Sequence, residues 1–246
     1  MSALLRAELL KLRTTRTFAA LVGAALALSL LIVALTASLD SSFTERDLHS
    51  LFASDMTGVF ILLLGAIGMT GEWRHRTIAG AVLAAPDRVR LLAAKLLAYA
   101  AAGVVLSLIV TATMMLAGTL ILSVRGETTL PIAELADVLW RNLAVAALLG
   151  ALGVGVGALV RNQIIAVTGL LIVSFALEPA LAALVLDVAR FGPTVGAPSG
   201  ILGLDFDHGP DAAGLLAPGV AVAVSIAWAI AAFASGAALL RHRDLV

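Results

Sequence analysis

The sequence predicts an all-α membrane protein with six transmembrane helices in a single domain. Hydrophobic residues make up 61% of the 246 residues and charged residues only 13%, whereas soluble domains carry about 25% charge. The mean hydropathy of +1.07 agrees with this composition. A domain of this length has too small a core to hide so much apolar surface from water. Six apolar stretches reach the roughly 20 residues that a helix needs to cross a bilayer.

The six stretches differ in how clearly their composition predicts a transmembrane helix. They lie at about residues 18–39, 51–71, 93–123, 140–160, 163–186 and 214–240. The first is uncharged throughout, and the second holds Asp55 in its outer turn. The fifth is expected to break near residues 178–179, because Pro179 removes a backbone donor. Little of the chain remains for a soluble domain.

The connections between the spans fall into two sets of opposite charge. One set, which we call the basic end, contains both termini and the connections after spans two and four, with 12 basic and 4 acidic residues. The other connections form the acidic end, with 4 basic and 10 acidic residues. Because short cytoplasmic loops carry the excess of Lys and Arg, we expect the basic end and both termini to be cytoplasmic in the plasma membrane. The zero net charge indicates no nucleic-acid partner.

A short basic stretch precedes the first span at residues 2–16. Leu5, Leu9 and Leu12 share one helical face, and Arg6 and Arg13 lie at its edge. Such a helix can lie in the headgroup layer, which predicts an interfacial helix. An ordinary positively charged anchor for the first span explains the same residues, and the two interpretations are compatible.

The connection between spans two and three is longer than a turn requires. A first amphipathic piece extends roughly from Glu72 to Ala84, and Pro86 ends it by forcing Ala85 out of helical geometry. Asp87 can then cap a second helix. The pattern fits a firm projection that docks a partner, although periodicity alone slightly favours a basic loop that only enforces topology.

These same residues carry a family resemblance. The motifs are Gly71-Glu72, the Arg-His-Arg-Thr run ending at Thr77, Pro86-Asp87-Arg88, Lys95, the N-terminal Glu8, Lys11 and Arg13, and the closing Arg241 to Asp244. In register with six spans, they resemble the permease subunits of ABC-2-type transporters. The resemblance implies an ATP-driven exporter in which two permease chains, identical or different, assemble with a separate ATP-binding subunit. The 72–84 segment would then be the coupling helix. Its expected ATPase contacts are Glu72, Arg74, Arg76, Thr77 and Arg88.

The chain lacks the motifs of an enzyme. No G-x-x-x-x-G-K-[ST] sequence occurs, so ATP hydrolysis is expected from a partner and no cofactor is expected. The four histidines have no zinc-binding spacing, which argues against a metal site. The sequence has no cysteine. Ser199-Gly200 lies in a polar outer loop, and no later span offers a His as base, which disfavours an intramembrane serine protease.

Two acidic residues fall inside or beside predicted spans, where ionisable groups are costly and functional by default. Asp55 is either a carboxylate that reaches the outer interface or part of the translocation path. Glu178 either shapes an exit path or caps a helix end. Gly153 and Gly157 form a G-x-x-x-G pair, expected to pack helices within one subunit rather than at a dimer seam.

Two other functional classes fit the same layout. A membrane scaffold or sensor that does not transport would use the cytoplasmic projection to dock a partner. A secondary transporter ranks third, because inverted repeats and paired broken helices are not evident. The walls of Ala, Leu, Val and Gly do not specify a substrate, although they suit an amphipathic or lipid-like one.

Overall fold

Every regular element that the computed structural model describes is a helix. The described residues are 2–39, 43–75, 77, 87–160, 162–204 and 214–242. Within them, six helical segments are long and apolar enough to cross a bilayer, which confirms the all-α class and the six spans. In chain order these segments are Arg16–Ser38, Glu45–Arg74, Arg88–Arg125, Ile132–Leu159, Gln163–Leu184 and Pro218–Leu240.

Some spans consist of more than one helix, and short helices surround them. Helix α1 precedes the first span, and α9 and α10 lie between the fifth and sixth spans. The bounds are α1 Ser2–Thr14, α2 Arg16–Leu39, α3 Glu45–Ala53, α4 Thr57–Arg74, α5 Arg88–Arg125, α6 Ile132–Leu159, α7 Gln163–Ile172, α8 Glu178–Leu184, α9 Leu186–Ala189, α10 Gly196–Leu202 and α11 Pro218–His242. A π-helical turn, Val173–Leu177, joins α7 to α8.

Helix α6 is the centre of the bundle and packs against α4, α5 and α11. Its glycines allow this close approach. A Cβ added to Gly153 would lie 2.1 Å from Leu62 O, and one added to Gly157 would lie 2.9 Å from Ala66 O, both on α4. Both members of the G-x-x-x-G pair therefore lie at an interface between helices of one chain, where small residues let backbones meet.

The second span is two helices rather than one. It begins earlier than expected, at Glu45, because Thr44 and Asp47 form a capping box that starts α3. The helix is interrupted at residues 54–56, between α3 and α4. At this point Asp55 Oδ1 accepts a hydrogen bond of 3.1 Å from the Thr57 backbone N–H. A side chain that accepts from a nearby backbone donor competes with the helical ladder, which accounts for the interruption.

The fifth span differs from its prediction at Pro179. The break expected near residues 178–179 is absent, because the π-helical turn leads directly into α8. The Glu178 backbone N–H donates to Val173 O, five residues earlier. A wider turn accommodates the missing donor and the bulk of the proline ring, so the helix continues. The helix ends instead at Val185, where φ is −146° and ψ is 77°.

The third span is a single helix of 38 residues, α5. Its start confirms the expected cap, because Asp87 Oδ1 accepts from the backbone N–H groups of Val89 at 3.1 Å and Arg90 at 3.0 Å. Its end follows from Gly126, which adopts the left-handed conformation with φ 75° and closes the last turn.

Large apolar side chains cover the outside of the bundle. This exposure is what a lipid environment stabilises and water does not. Examples from four different helices are Leu31, Leu120, Ile164 and Ile230.

Candidate functional site

A buried lysine on the third span holds two carboxylates at the basic end. Lys95 Nζ lies 2.7 Å from Glu8 Oε2 and 2.7 Å from Glu72 Oε1. The Lys95 side chain is only 2% exposed, and the carboxylate side chains are 5% and 10% exposed. An unpaired charge at such a site would be very costly, and the two carboxylates therefore belong to one arrangement with the lysine.

Lys11 completes this arrangement from its outer side. Its Nζ lies 2.8 Å from Glu8 Oε1 and 3.1 Å from Glu72 Oε1, and its side chain is 54% exposed. Two ammonium groups thus face two carboxylates with no net charge. We call Glu8, Lys11, Glu72 and Lys95 the ion cluster. It uses both lysines of the whole sequence.

The ion cluster joins three helices, α1, α4 and α5. Glu8 and Lys11 lie one turn apart on α1, Glu72 lies in the last turn of α4, and Lys95 lies two turns into α5. The segment between α4 and α5 is the connection predicted to project from the basic end. The ion cluster therefore ties both ends of that connection to the N-terminal helix.

The ion cluster shifts the protonation of its members outside the spans. Burial opposes ionisation of Glu8, but Lys95 and Lys11 outweigh it and hold the pKa of that carboxyl below its usual value. Burial also disfavours the Lys11 cation, yet Glu8 and Glu72 raise the pKa of its ammonium above the usual value. Both groups are charged at neutral pH.

The residues expected to contact an ATPase lie in different surroundings. Arg74 and Thr77 are exposed, whereas Glu72 is buried and directs one carboxylate oxygen, Oε1, into the ion cluster. Arg88 donates to Leu240 O at 2.5 Å, which fastens the start of α5 to the last helix. Arg76 lies outside the described residues.

Most of the predicted coupling helix, 72–84, also lies outside the described residues. Helix α4 continues to Arg74, and the Thr77 backbone N–H then donates to Glu72 O at 3.0 Å. The chain is described again from Asp87. The coupling helix stays a prediction, with its two flanking helices placed.

A second polar cluster surrounds Asp55, where the second span is interrupted. The Thr111 hydroxyl of α5 donates to Asp55 Oδ2, and the Thr57 backbone N–H donates to Oδ1. No basic side chain in the described part of the chain pairs with Asp55. The carboxyl group is directed towards Thr111 of α5. A role in the translocation path stays a prediction.

Asn142 of α6 fixes the polarity of this cluster. Its Nδ2 donates to Phe52 O at 2.9 Å and to Thr111 Oγ1 at 3.3 Å. Because a carbonyl only accepts, the amide must present its nitrogen here, and the Thr111 proton is left for Asp55. Ser107 Oγ lies 3.3 Å from Thr111 Oγ1. We call Asp55, Thr57, Ser107, Thr111 and Asn142 the Asp55 cluster.

Glu178 serves as an acceptor for the turn before α10. Its Oε1 accepts from the Thr194 backbone N–H at 2.9 Å and from the Thr194 hydroxyl at 2.6 Å. Its Oε2 accepts from the backbone N–H groups of Val195 at 2.7 Å and Gly196 at 2.8 Å. Both oxygens of this buried carboxylate are therefore engaged by one turn. A role in the exit path stays a prediction.

The comparison with protein families decides the identity of the chain. A family model described as "ABC-2 family transporter protein" matches residues 4–177, which is well over half of the sequence. The chain belongs to the ABC-2 transporter family. The matched region of this ABC-2 membrane protein extends from α1 to the π-helical turn and includes both polar clusters. No curated protein matches the chain.

Family membership confirms part of what the motifs implied. This ABC-2 protein is a multi-pass membrane component of an ABC transporter, and membership implies an ATP-binding partner. It leaves the direction of transport and the contact residues as predictions.

Sequence reasoning missed the partners in both clusters. Glu8, Lys11 and Lys95 were singled out as family motifs, but no spacing rule predicts that α1 folds back against α4 and α5. For the Asp55 cluster a signal did exist. Ser107 and Thr111 lie four residues apart in a mostly apolar span, and such a pair shares one helical face.

Proposed function

We propose that this chain is the permease subunit of an ATP-driven exporter and couples to its ATP-binding subunit through residues 72–88. The ion cluster is the observation that carries the proposal. Lys95 and Lys11 join the N-terminal helix to both helices that flank this connection. A force applied to the connection therefore reaches α1, α4 and α5 together.

The ion cluster is suited to transmit movement from the connection to helices α1, α4 and α5. Buried ion pairs with short distances resist separation, because removing one partner strands a charge away from water. Below the cluster, α4 packs tightly on α6 through small residues and backbone. Closure of an ATPase pair against the connection would move spans two, three and four relative to the rest. This movement is the proposed switch between inward-open and outward-open states.

The direction and assembly rest on the charge pattern and the family. The excess of basic residues at the basic end supports a cytoplasmic location for that end and for both termini, in the plasma membrane. ATP and the ATP-binding subunit lie on the same side. A second permease copy, identical or different, completes the proposed path.

The contact surface is proposed on the exposed residues of the connection. Arg74 and Thr77 are accessible, and Arg76 follows the same pattern in the sequence. Glu72 and Arg88 position the connection without contacting the partner. Glu72 lies in the ion cluster, and Arg88 donates a hydrogen bond to α11. The proposal therefore divides the five predicted residues into three contacts and two positioning residues.

Co-purification with the ATP-binding subunit tests the proposal. The double substitution Arg74→Glu and Arg76→Glu should abolish recovery of the ATPase with the tagged permease, without loss of permease expression. The matched control is Arg190→Glu, because Arg190 is a partly exposed residue at the acidic end whose partner Asp187 is exposed. Equal ATPase recovery from both variants would exclude the connection as the contact surface.

An efflux assay separates the exporter from the scaffold or sensor. Vesicles containing the permease and its ATPase should accumulate cargo on the side away from ATP, and the double variant should not. A partner that co-purifies but lacks a P-loop would instead support the scaffold.

A further inference from the structure

We propose that the Asp55 cluster is a binding site for a singly positively charged group, in the half of the bundle nearer the acidic end. The inference rests on the proposed function, because it names the charge of the species that a permease would hold there. The ligand is either an inorganic monovalent cation or a cationic group on a transported molecule, and both offer the same chemistry to a carboxylate.

The first observation is a carboxyl group without a basic partner. Asp55 accepts two hydrogen bonds, from Thr111 and from the Thr57 backbone, and pairs with no basic side chain in the described part of the chain. The nearest basic residue in sequence to the cluster is Arg141, whose Nε lies 2.6 Å from Asp137 Oδ2 and whose Nη1 donates to Ile201 O. A charge in such a place requires a neutralising partner.

The second observation concerns an unused oxygen atom. Asn142 is 3% exposed, yet its Oδ1 accepts no hydrogen bond within the described residues. Buried polar atoms without partners are rare in folded proteins and call for an explanation. Carboxylate, amide and hydroxyl oxygens are the donor set that hard cations prefer.

The polarity of the hydrogen bonds makes both oxygens of Asp55 acceptors. The fixed Asn142 amide donates to Thr111 Oγ1, which leaves the Thr111 proton for Asp55 Oδ2. Asp55 is thus placed as an acceptor at the end of the chain of hydrogen bonds. A single carboxylate balances one positive charge, which favours a monovalent ligand over a divalent one.

The backbone around Asp55 has the form of a binding site. The second span is interrupted there, and interrupted helices within a membrane are tolerated where they line a cavity or hold a ligand. The acidic end carries 10 acidic against 4 basic residues, and this excess attracts cations to that side.

Binding to the purified, lipid-reconstituted permease tests the site without any requirement for transport. The probe is tetraphenylphosphonium, and its matched control is tetraphenylborate, which has nearly the same shape and the opposite charge. We expect saturable binding of the phosphonium only. Asp55→Asn should weaken that binding about tenfold or more, since a charge-assisted contact is lost. Asp187→Asn makes the same change at an exposed carboxylate and should leave binding unaltered.

A competition experiment between sodium and the phosphonium probe identifies the source of the positive charge. Sodium is titrated against choline at constant ionic strength, and radioactive sodium binding is measured alongside. Displacement by sodium, with sodium binding lost in Asp55→Asn, assigns the site to an inorganic ion. Phosphonium binding that sodium does not displace assigns it to a cationic cargo.

Two results overturn the proposal. One is the absence of binding by both probes, and the other is equal binding by the wild type and Asp55→Asn. Thr111→Val provides a second test in case Asp55→Asn misfolds. It keeps the carboxylate and removes its hydrogen-bond donor, so it should weaken binding a few-fold. Because no ATPase is present, failure of this test leaves the coupling proposal standing. Loss of ATPase co-purification would likewise leave the binding result intact.

Discussion

The ion cluster and the Asp55 cluster place buried carboxylates at two depths of the same helices. On α5, Lys95 and Thr111 are separated by about 24 Å at 1.5 Å per residue, most of the thickness of a bilayer core. The ion cluster balances two carboxylates with two ammonium groups. The Asp55 cluster surrounds one carboxylate with hydroxyl and amide groups only.

This difference indicates that the ion cluster holds helices together, whereas the Asp55 cluster is the proposed binding site. A balanced cluster with short contacts gains nothing from a ligand and holds its helices together. An unbalanced cluster has lower stability as it stands and gains when a cation arrives. The sign of the stability change on neutralising a carboxylate should therefore differ between the two ends of the bundle.

The largest effect is expected for Lys95→Met. It leaves the Glu8 and Glu72 carboxylates buried with only the half-exposed Lys11 to balance them, which should lower the free energy of unfolding by about 3–5 kcal/mol. Unfolding in mixed micelles, followed by circular dichroism, measures the change. Lys11→Met is the control, because its exposed side chain should contribute no more than about 1 kcal/mol. Similar losses in the two variants would contradict the distinct role of Lys95.

Glu178→Gln should have the next largest effect. This carboxylate is buried without a basic partner among the described residues, as Asp55 is, but it accepts four hydrogen bonds. An amide can accept at one oxygen only, so unfolding should become easier by about 1.5–3 kcal/mol. If Glu178 also lies on the exit path, transport by folded protein should fall while ATPase binding persists. Unaltered transport at equal expression would remove it from the path.

Asp55→Asn should change stability least, and in the opposite direction. The variant keeps the shape and removes an unpaired charge, so the free energy of unfolding should be unchanged or higher by up to about 1 kcal/mol in the absence of added cations. The same micelle measurement applies. A loss comparable to that of Lys95→Met would show that the Asp55 carboxylate is structural, as the carboxylates of the ion cluster are.

The pH dependence of stability should report Glu8 and Lys11 of the ion cluster. The pKa of Glu8 is held below its ordinary value of 4.5, so its contribution is complete above pH 4.5 and is lost as the pH falls through the folded-state value. The pKa of Lys11 is raised above 10.5, so its contribution is complete below pH 10.5 and is lost as the pH rises further. Thermal unfolding across this range should show a plateau, and Lys11→Met should weaken the alkaline decline. A decline centred near neutral pH would point to other groups.

Much of the fold could be predicted from the sequence, because a run of about 20 apolar residues is enough to identify each transmembrane helix. The departures from that prediction depend on local backbone geometry and on side-chain contacts, which the length of an apolar run does not reveal. Pro179 was expected to break the fifth span, but a π-helical turn accommodates it without interruption. Asp55 lies between the end of α3 and the start of α4, where it interrupts its span by accepting from the Thr57 backbone N–H.

The candidate sites were less predictable for the same reason. Glu72 was assigned to a surface by its place in a motif, whereas the fold buries it against Lys95. Asn142 lies in an apolar span with no special spacing, and its importance depends on the carbonyl of Phe52 on another helix. Contacts between helices distant in sequence determine both sites.

The concentration of both lysines in the ion cluster has a consequence for chemical modification. Apart from the terminal amine, the chain offers amine-reactive reagents only two targets, one half exposed and the other 2% exposed. Acylation of Lys95 should then proceed only when α1 separates from α4 and α5. The ratio of the two modification rates, read by mass spectrometry during ATP turnover, would give the fraction of time that the cluster is open.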